Sequence, residues 1–212
     1  GRGVAVGLRT MQEVEQAVQS ARQMADRVLI EEHVQGLDLR LLVIDYRVVA
    51  AAIRRPARVV GDGHSSIRQL IEIQSRRRSA ATGGESSIPM DAETRRCVAS
   101  AGFDLNDVLT QGQEIEVRKT ANLHTGGTIH DVTEETHPTL IDAAVRAARA
   151  IEIPVTGIDL MVASPHRPDY HFIEANERPG LANHEPQPVA ERFLDLLFPL
   201  SIPQAARAAM QR

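Results

Sequence analysis

Cysteine and long apolar runs are scarce in this 212-residue chain, and each scarcity excludes a class of protein. The single cysteine, Cys97, excludes a disulfide within the chain, and its setting in ETRRCVAS is typical of a helix face rather than of a reactive thiol. No run of about 18 apolar residues is present for a membrane span, and the first residues lack a signal-peptide pattern. We therefore expect a cytoplasmic protein with no membrane partner.

Aromatic residues and excess charge are also scarce. Aromatics make up 3% of the chain and the net charge is -4, whereas a nucleic-acid-binding surface normally needs a wide basic face. The basic run Arg76, Arg77 and Arg78 is too short to supply one, so we expect no nucleic-acid partner. The hydrophobic share of 42% is enough for the core of one large domain or two small ones.

The sequence pattern of the first quarter of the chain predicts a helix, a strand and a hairpin. The segment MQEVEQAVQSARQMA is an amphipathic helix with Thr10 as its N-cap, and RVLIEEHV is a short strand. The segment DLRLLVIDYRVVAAAIRRP predicts a hairpin that turns at IDYR. Because the chain opens on the glycine-rich GRGVAVGLRT, we expect it to start inside a loop, with upstream sequence removed.

The middle of the chain, residues 56–113, predicts a helical insertion between strands. A helix capped by serines follows GDGHSS, and SAATGGESS is small, polar and glycine-rich enough for a mobile loop. A second short helix is predicted for MDAETRRCVASAG, after which EIEVRKTAN returns to a strand.

A glycine pair with flanking threonines occurs in NLHTGGTIHDVTEETHP. Gly126 and Gly127 would let backbone N–H groups approach a ligand, as in anion-binding nests, although such a pair is often only a turn. The histidines nearby match no common zinc spacing and have no accompanying cysteine, so we expect no zinc at His124, His130 and His137.

Polar side chains occupy one face of a strand in FIEANERPG. Glu174 and Asn176 are two residues apart and so point to the same side of an extended chain. The neighbouring strand TGIDLMVA, joined by the turn SPHRPD, brings Asp159 near both. Two carboxylates and a carboxamide suit Mg²⁺, which prefers oxygen ligands. Taken alone, the triplet is explained equally well by a hairpin whose polar face meets solvent.

The order of the segments GRGV, VLIEEHVQGLDLR, GIDL and IEANERPG resembles the ATP-grasp ligases over nearly the whole chain. Within that superfamily, VVAAAIRRPARVVGDGHSSIRQLI and ANLHTGGTIHDVTEETHP are similar to cyanophycin synthetase and the related glutathione-forming ligases. The tail EANERPGLANHEPQPVAERFLDLLFP resembles the N-acetylglutaminylglutamine amide synthetases more closely still.

The resemblance implies an α+β fold, the ATP-grasp fold, with nucleotide held between two sheets. Residues 1–35 would be the remnant of the lid subdomain and the hinge, with a remnant of the first sheet. Residues 36–212 would be the C-terminal subdomain, which includes the insertion. Its sheet is expected to hold the strands DLRLLVI, VVAAAI, EIEVRK, GIDLMV and YHFIEAN.

The resemblance also implies an enzyme: an ATP- and Mg²⁺-dependent carboxylate-amine ligase that forms an amide or peptide bond through an acyl phosphate. The expected cofactors are ATP and two Mg²⁺ ions, with Mn²⁺ as a substitute. The expected partners are amino-acid or short-peptide substrates and the missing N-terminal portion of the same protein, with a homo-oligomer as a further expectation. A kinase-type phosphotransferase and a nucleotide-binding regulatory module remain as alternatives.

The roles that the resemblance implies fall into three groups by position. The match to the ligands of the two Mg²⁺ ions consists of Asp159, Glu174 and Asn176. The nucleotide-binding positions match as follows: the phosphate-covering loop at Gly1, Arg2 and Gly3, the adenine hinge at Glu31, Glu32 and Val34, and the acid that binds the ribose at Asp38. The substrate-side loop, with backbone donors for a carboxylate or oxyanion, would consist of Asn122, Thr125, Gly126 and Gly127.

Arginines would supply the positive charge. Arg40 and Arg54 resemble catalytic positions that lean over the transferring phosphoryl group or the tetrahedral intermediate, and Arg178 would grip a substrate carboxylate. For Arg55 and Arg58 we expect surface ion pairs instead.

Two departures from the family pattern affect these expectations. The upstream lysines of the phosphate-binding strands are absent from this chain, so we expect no activity from it alone. Some relatives carry an arginine two residues before the first metal-binding aspartate, where this chain has Gly157. Oxyanion stabilisation would then fall to Arg54 or to the loop at 125–127.

Overall fold

The computed structural model describes residues 5–182, 184 and 186–201, and the chain divides into two compact units, 1–35 and 36–212. The helices are α1 (Met11–Arg22), α2 (Ile67–Ala81), α3 (Ala92–Ser100), α4 (Pro138–Ala150) and α5 (Val189–Leu197), with short 3-10 helices at Leu123–Thr125, Thr133–Glu135 and Pro199–Ser201. The strands are β1 (Leu37–Ile44), β2 (Arg47–Arg55), β3 (Arg58–Val60), β4 (Glu114–Glu116), β5 (Thr128–Asp131), β6 (Val155–Val162) and β7 (Tyr170–Asn176).

The described part of the first unit contains one helix. Thr10 accepts a hydrogen bond from the Glu13 N–H at 3.2 Å, and the Glu13 carboxylate accepts one from the Thr10 N–H at 2.9 Å, so the predicted N-cap is confirmed as a capping box. The predicted strand RVLIEEHV and the remnant of a first sheet are wrong for residues 5–35. That stretch offers no second strand with which the RVLIEEHV backbone could pair, and a strand is stable only with a neighbour.

The second unit is built on a five-stranded antiparallel sheet in the order β5-β2-β1-β6-β7, which confirms the predicted α+β class. One predicted member of this sheet is wrong. The strand in EIEVRK, β4, pairs with β3 in a separate two-stranded sheet, because its buried Ile115 packs into the core of the insertion. The place beside β2 belongs to β5, for which the sequence analysis predicted no strand.

The two faces of the large sheet differ in chemistry. One face is apolar and packs on α4, with Leu39, Leu41, Ile158 and Leu160 at the centre of that core. Alternation along β1 sends the even-numbered residues to the other face. There, Leu42 and Ile44 pack with Val189 of α5, whereas Asp38 and Arg40 carry charge. Half of this second face is therefore a small core and the other half is polar.

The insertion folds around an apolar core of its own. Side chains from α2, α3, β3 and β4 form it, including Ile67, Ile71 and Val98. The predicted serine cap is confirmed, since Ser66 accepts from the Gln69 N–H in a capping box at the start of α2. The predicted mobile loop SAATGGESS is wrong in its first part, because α2 continues through Ala81, and Ser86 further on is buried.

No helix in the described ranges is long and apolar enough to cross a membrane.

The turn before α2 yields a prediction about pH. The Asp62 carboxylate accepts hydrogen bonds from the Ser65 and His64 N–H groups at 2.7 and 2.9 Å, and these hold its pKa at about 2, below its ordinary value of 3.8. A carboxylate with a lowered pKa in the folded state stabilises the fold above the unfolded pKa. Its contribution should be lost as the pH falls from about 4 to about 2.

We expect Asp62→Asn to lower the free energy of unfolding at pH 6, and the difference from the wild type to vanish near pH 2. Urea denaturation across this pH range measures both. The control is Asp169→Asn, because the exposed Asp169 side chain accepts no hydrogen bond from the described residues. A difference at pH 6 that persists unchanged at pH 2 would contradict the assignment.

Candidate functional site

A row of polar residues crosses the second face of the large sheet. Strand register aligns Asp131, Ala52, Arg40, Asp159 and Glu174 from one edge of the sheet to the other. The adjacent row on the same face places Arg54 opposite Asp38. Two of the predicted metal ligands, the predicted ribose acid and both predicted catalytic arginines therefore lie on neighbouring positions of one face.

A β-bulge in β7 decides which side chain faces Asp159. Phe172 pairs with Leu160 on the apolar face, so simple alternation would place Ile173 opposite Asp159 and turn Glu174 toward the apolar core. The register shifts here by one residue, which leaves Ile173 unpaired and places Glu174 opposite Asp159. Asn176 then pairs with Gly157 on the same face as Glu174.

Asp159 is held between the two arginines. Its side chain is 5% exposed, and its Oδ1 atom accepts a hydrogen bond from Arg40 Nε. Its Oδ2 atom accepts from Arg40 Nη2 at 2.8 Å and from Arg54 Nη2 at 2.9 Å. A buried carboxylate must be paired to remain charged, and two guanidinium groups provide that pairing here.

Asp38 joins Arg40, Arg54 and Asp159, and these four side chains form a charge cluster. Its Oδ1 atom accepts from Arg54 Nε at 3.0 Å and from Arg54 Nη2 at 2.7 Å. Burial raises the pKa of the Asp38 carboxyl, and the charge of Arg54 only partly opposes this. Burial alone would lower the pKa of Arg54, but the carboxylates of Asp159 and Asp38 outweigh it and raise that pKa. Arg54 therefore stays charged between two acids.

Gly157 leaves room for Arg40. A Cβ atom at this position would lie 2.9 Å from Arg40 Nη1 and 3.2 Å from Arg40 Cδ, closer than normal contact. The guanidinium of Arg40 thus lies over the backbone where some relatives are expected to carry an arginine. A positive charge is present at this point of the sheet, and it comes from the neighbouring strand.

The carboxamide of Asn176 connects the two acids. Its Nδ2 atom lies 3.0 Å from Glu174 Oε1 and 3.4 Å from Asp159 Oδ2. Two carboxylates and a carboxamide within this distance fit a hard cation such as Mg²⁺, provided that the amide rotates to present its oxygen. In the described part of the chain, no three His, Cys, Asp or Glu side chains group closely enough to hold a metal. A cation here would therefore need Asn176 and oxygens from a ligand.

The predicted substrate-side loop has a defined conformation, and the expectation of free backbone donors in it is wrong. The His124 N–H donates to Asn122 Oδ1, the N–H groups of Thr125 and Gly127 donate to the Asn122 carbonyl, and the Gly126 N–H donates to the Leu123 carbonyl. Every N–H from 124 to 127 is thus used inside the loop. A hydrogen-bond donor from residues 124–127 or from Asn122 to a ligand would therefore have to be a side chain, such as Nδ2 of Asn122.

The remaining predicted positions have no contact with this cluster in the structure of the second unit, or they fall outside that unit or outside the described residues. Gly1, Arg2 and Gly3 fall outside the described residues, and the hinge positions Glu31, Glu32 and Val34 belong to the first unit. Arg178 is 92% exposed and lies 3.8 Å from Glu177.

The expected surface ion pair of Arg58 is present, with Glu114 and Glu116. The pairing of Asp159 with two arginines was missed by sequence reasoning, because no spacing in the sequence encodes cross-strand partners more than a hundred residues apart.

Comparison with known proteins gives curated relatives of two kinds. The chain is 36% identical over 212 residues to the cyanophycin synthetase of Trichormus variabilis, covering 94% of this chain and 24% of that protein. It is 32% identical over 190 residues to the glutathione biosynthesis bifunctional protein GshAB of Streptococcus mutans, covering 81% and 25%. The chain thus spans about a quarter of the length of the curated relatives that it matches. No family model matches it.

A solved structure shares the fold. The bifunctional glutathione synthetase from Pasteurella multocida superimposes with a TM-score of 0.64 at 22% identity, over 92% of this chain and 29% of that one. The predicted fold is confirmed by this match, and the predicted resemblance to cyanophycin synthetase and the glutathione-forming ligases is confirmed by the curated relatives. The finer resemblance to the N-acetylglutaminylglutamine amide synthetases stays a prediction.

The contacts in the charge cluster predict that substitutions of Asp159 and of Glu174, two acids on the same face, lower the free energy of unfolding by different amounts. Asp159→Asn would leave Arg40 and Arg54 facing each other with only the carboxylate of Asp38, so we expect a loss of about 3 kcal/mol in the free energy of unfolding. Glu174→Gln changes an exposed group and should cost less than about 0.5 kcal/mol. Urea denaturation of both variants without metal or nucleotide tests this, and equal losses would contradict the structural role of Asp159.

Proposed function

We propose that this chain, which is homologous to a segment of the ATP-grasp ligases, forms the metal-binding part of an ATP-dependent carboxylate-amine ligase. The observation that carries the proposal is the polar half of the sheet face. There, a carboxylate-carboxamide triplet, Asp159, Glu174 and Asn176, adjoins two arginines. In the proposed reaction, a carboxylate takes the terminal phosphoryl group of ATP to give an acyl phosphate and ADP, and an amine then displaces phosphate to form an amide.

Asp159, Glu174 and Asn176 are the proposed ligands of two Mg²⁺ ions, for which Mn²⁺ can substitute. Bound magnesium would offset the negative charge that the phosphate groups carry during transfer. Asp159 cannot direct the same lone pairs toward a cation and toward two arginines. Its use as a ligand would therefore loosen its bonds to Arg40 and Arg54.

Arg40 and Arg54 are then the proposed catalytic groups. Each is a planar, permanently charged donor, and its bond to Asp159 holds it on the face where the phosphates would lie. The N–H groups of these guanidinium groups would donate to phosphoryl or oxyanion oxygens there. Arg54 would still be tethered by Asp38, which limits how far it can move.

On the same face, Asp38 is the proposed contact to the ribose of the nucleotide. Asp38 uses only Oδ1 for Arg54, so its Oδ2 atom is available to accept from ribose hydroxyls. Glu31, Glu32 and Val34 would meet adenine, and Gly1, Arg2 and Gly3 would contribute to the phosphate-covering loop.

The proposed substrate contacts are the loop at 122–127 and Arg178. Asn122 presents its Nδ2 atom as a donor, since its Oδ1 atom already caps the loop. The exposed guanidinium of Arg178 follows the metal-binding strand directly and is able to reach a substrate carboxylate. Amino acids or short peptides are the proposed substrates, and the upstream portion of the full-length protein is the proposed source of the missing phosphate-binding lysines.

The test is turnover by the full-length protein with Mg-ATP, a panel of amino acids and dipeptides as carboxylates, and hydroxylamine as the amine. We expect ADP together with a hydroxamate. Glu174→Ala should lower the rate by about a hundredfold or more, while Glu191→Gln, an exposed acid on α5, should leave it unchanged. Unchanged turnover in Glu174→Ala would overturn the metal assignment. ADP without hydroxamate would favour a phosphotransferase, and nucleotide binding without ADP formation a regulatory module.

A binding measurement on the 212-residue chain tests the metal site without turnover. We expect Mg-ATP at about a hundredfold excess over its Kd to raise the melting temperature by about 5 to 10 °C. The rise should require both Mg²⁺ and ATP, and Glu174→Ala should abolish it. A melting temperature unaffected by Mg-ATP would contradict nucleotide binding by these residues.

A further inference from the structure

The loop at 122–127 is attached to the insertion along most of its length. Ser86 Oγ donates to the Leu123 carbonyl, the Ser87 N–H donates to the His124 carbonyl at 3.2 Å, and Arg78 Nη2 donates to the Gly127 carbonyl. Three carbonyl groups of the loop are therefore bound by residues 78–87 of the insertion.

The donors are themselves fixed to helix α2. Arg78 lies on the last turn of that helix, and its Nε atom donates to Ser86 Oγ at 3.3 Å. The Ser86 N–H donates to Thr82 Oγ1 at 2.9 Å, and Thr82 Oγ1 donates to the Arg78 carbonyl at 2.8 Å. Ser86 is 4% exposed, so the bonds that its hydroxyl and N–H make are largely shielded from solvent. Shielding from water strengthens the attachment of the loop to this segment.

Packing reinforces the attachment. Gly126 has φ +90°, a left-handed conformation that favours glycine, and a Cβ atom there would collide with Ile88 and approach the Ala57 Cβ to 3.2 Å. The loop backbone therefore lies directly against the insertion core, to which Ile88 and Ala57 belong.

Arg78 differs from the two arginines that precede it. Arg76 and Arg77 are exposed, whereas Arg78 is half-buried. Burial lowers the pKa of Arg78, and no carboxylate in the described residues forms an ion pair with it. In the described residues, the guanidinium of Arg78 donates to the Ser86 hydroxyl and to the Gly127 carbonyl. It therefore binds the loop and its attachment rather than an acidic side chain.

We propose that Arg78 and Ser86 are positioning residues that fix the conformation of the loop at 122–127, and so the way in which the carboxylate substrate is held. This inference rests on the proposed function for the identity of the ligand. It assigns the insertion a role in substrate binding, because Arg78 and Ser86 bind the carbonyls of Gly127 and Leu123 and so hold both ends of the loop.

The kinetic test uses the full-length protein, Mg-ATP, hydroxylamine and the carboxylate that the wild type converts to a hydroxamate. Arg78→Ala and Ser86→Ala should each raise the KM for the carboxylate by about tenfold, the effect of one or two lost hydrogen bonds, and leave the KM for ATP within about twofold. Arg78→Lys should fall between wild type and Arg78→Ala, because one ammonium cannot bind both oxygens with the geometry of the guanidinium fork. Arg77→Ala, one residue away and exposed, is the matched control and should match the wild type.

A second measurement needs no activity. Hydrogen exchange followed by mass spectrometry should show faster exchange in the peptide covering 120–130 for Arg78→Ala and Ser86→Ala, but not for Arg77→Ala. The melting curve of Arg78→Ala shows whether that variant folds. If it does not, the exchange of Ser86→Ala alone decides the test, because this substitution removes one buried hydroxyl and little volume.

The outcomes separate the two proposals. Unchanged exchange in both variants would overturn the positioning role, whatever the kinetics show. Faster exchange with an unchanged KM for the carboxylate would overturn the link between the loop and the substrate. A wild type that forms no hydroxamate with any carboxylate in the panel would overturn the proposed function, whereas the exchange data would still decide whether Arg78 and Ser86 hold the loop.

Discussion

The carboxylate of Asp159, buried in the large sheet and held by two arginines, is the interaction on which the polar half of the sheet depends. A buried charge is tolerated only when it is paired, and the pairing here spans three adjacent strands. Arg40 reaches Asp159 across one strand boundary and Arg54 across two, with Asp38 completing the chain of charges. The same carboxylate is the proposed metal ligand, so the stability of the sheet and the proposed chemistry compete for one group. If the proposed metal binds, this competition would couple its binding to the bonds of Arg40 and Arg54.

The insertion gives the second unit a separate apolar core and holds the loop at 122–127. It has its own core, and it bonds to three carbonyls of the loop at 122–127 while Gly126 packs against it. The loop, in turn, leads directly into β5 at the edge of the large sheet. The core of the insertion is thus joined to the large sheet through a loop whose N–H groups from 124 to 127 are bonded inside the loop and three of whose carbonyls are bonded to the insertion. These bonds fix the loop backbone that presents Asn122.

Several features of the fold followed from local patterns. Thr10 and Ser66 were recognisable as N-caps because a capping box has a fixed spacing, and the hairpin of β6 and β7 followed from two apolar runs around a polar turn. Strand pairing was harder to predict. The pattern of EIEVRK is the same whether it joins a large or a small sheet, and only the core that receives Ile115 decides. RVLIEEHV has the composition of a strand, yet residues 5–35 provide no partner for its backbone.

The sequence by itself determined the fold class, the caps, the hairpin and the set of residues that could bind a metal, because these depend on spacing within short segments. The order of motifs also determined the family resemblance that the relatives confirm. Tertiary structure alone decided which charges meet. The bulge at Ile173 turns Glu174 toward Asp159, the register of β1 and β6 brings Arg40 to the same carboxylate, and the packing of α2 brings Arg78 to Gly127. These contacts join residues from 15 to more than 100 positions apart, a distance over which local periodicity carries no information.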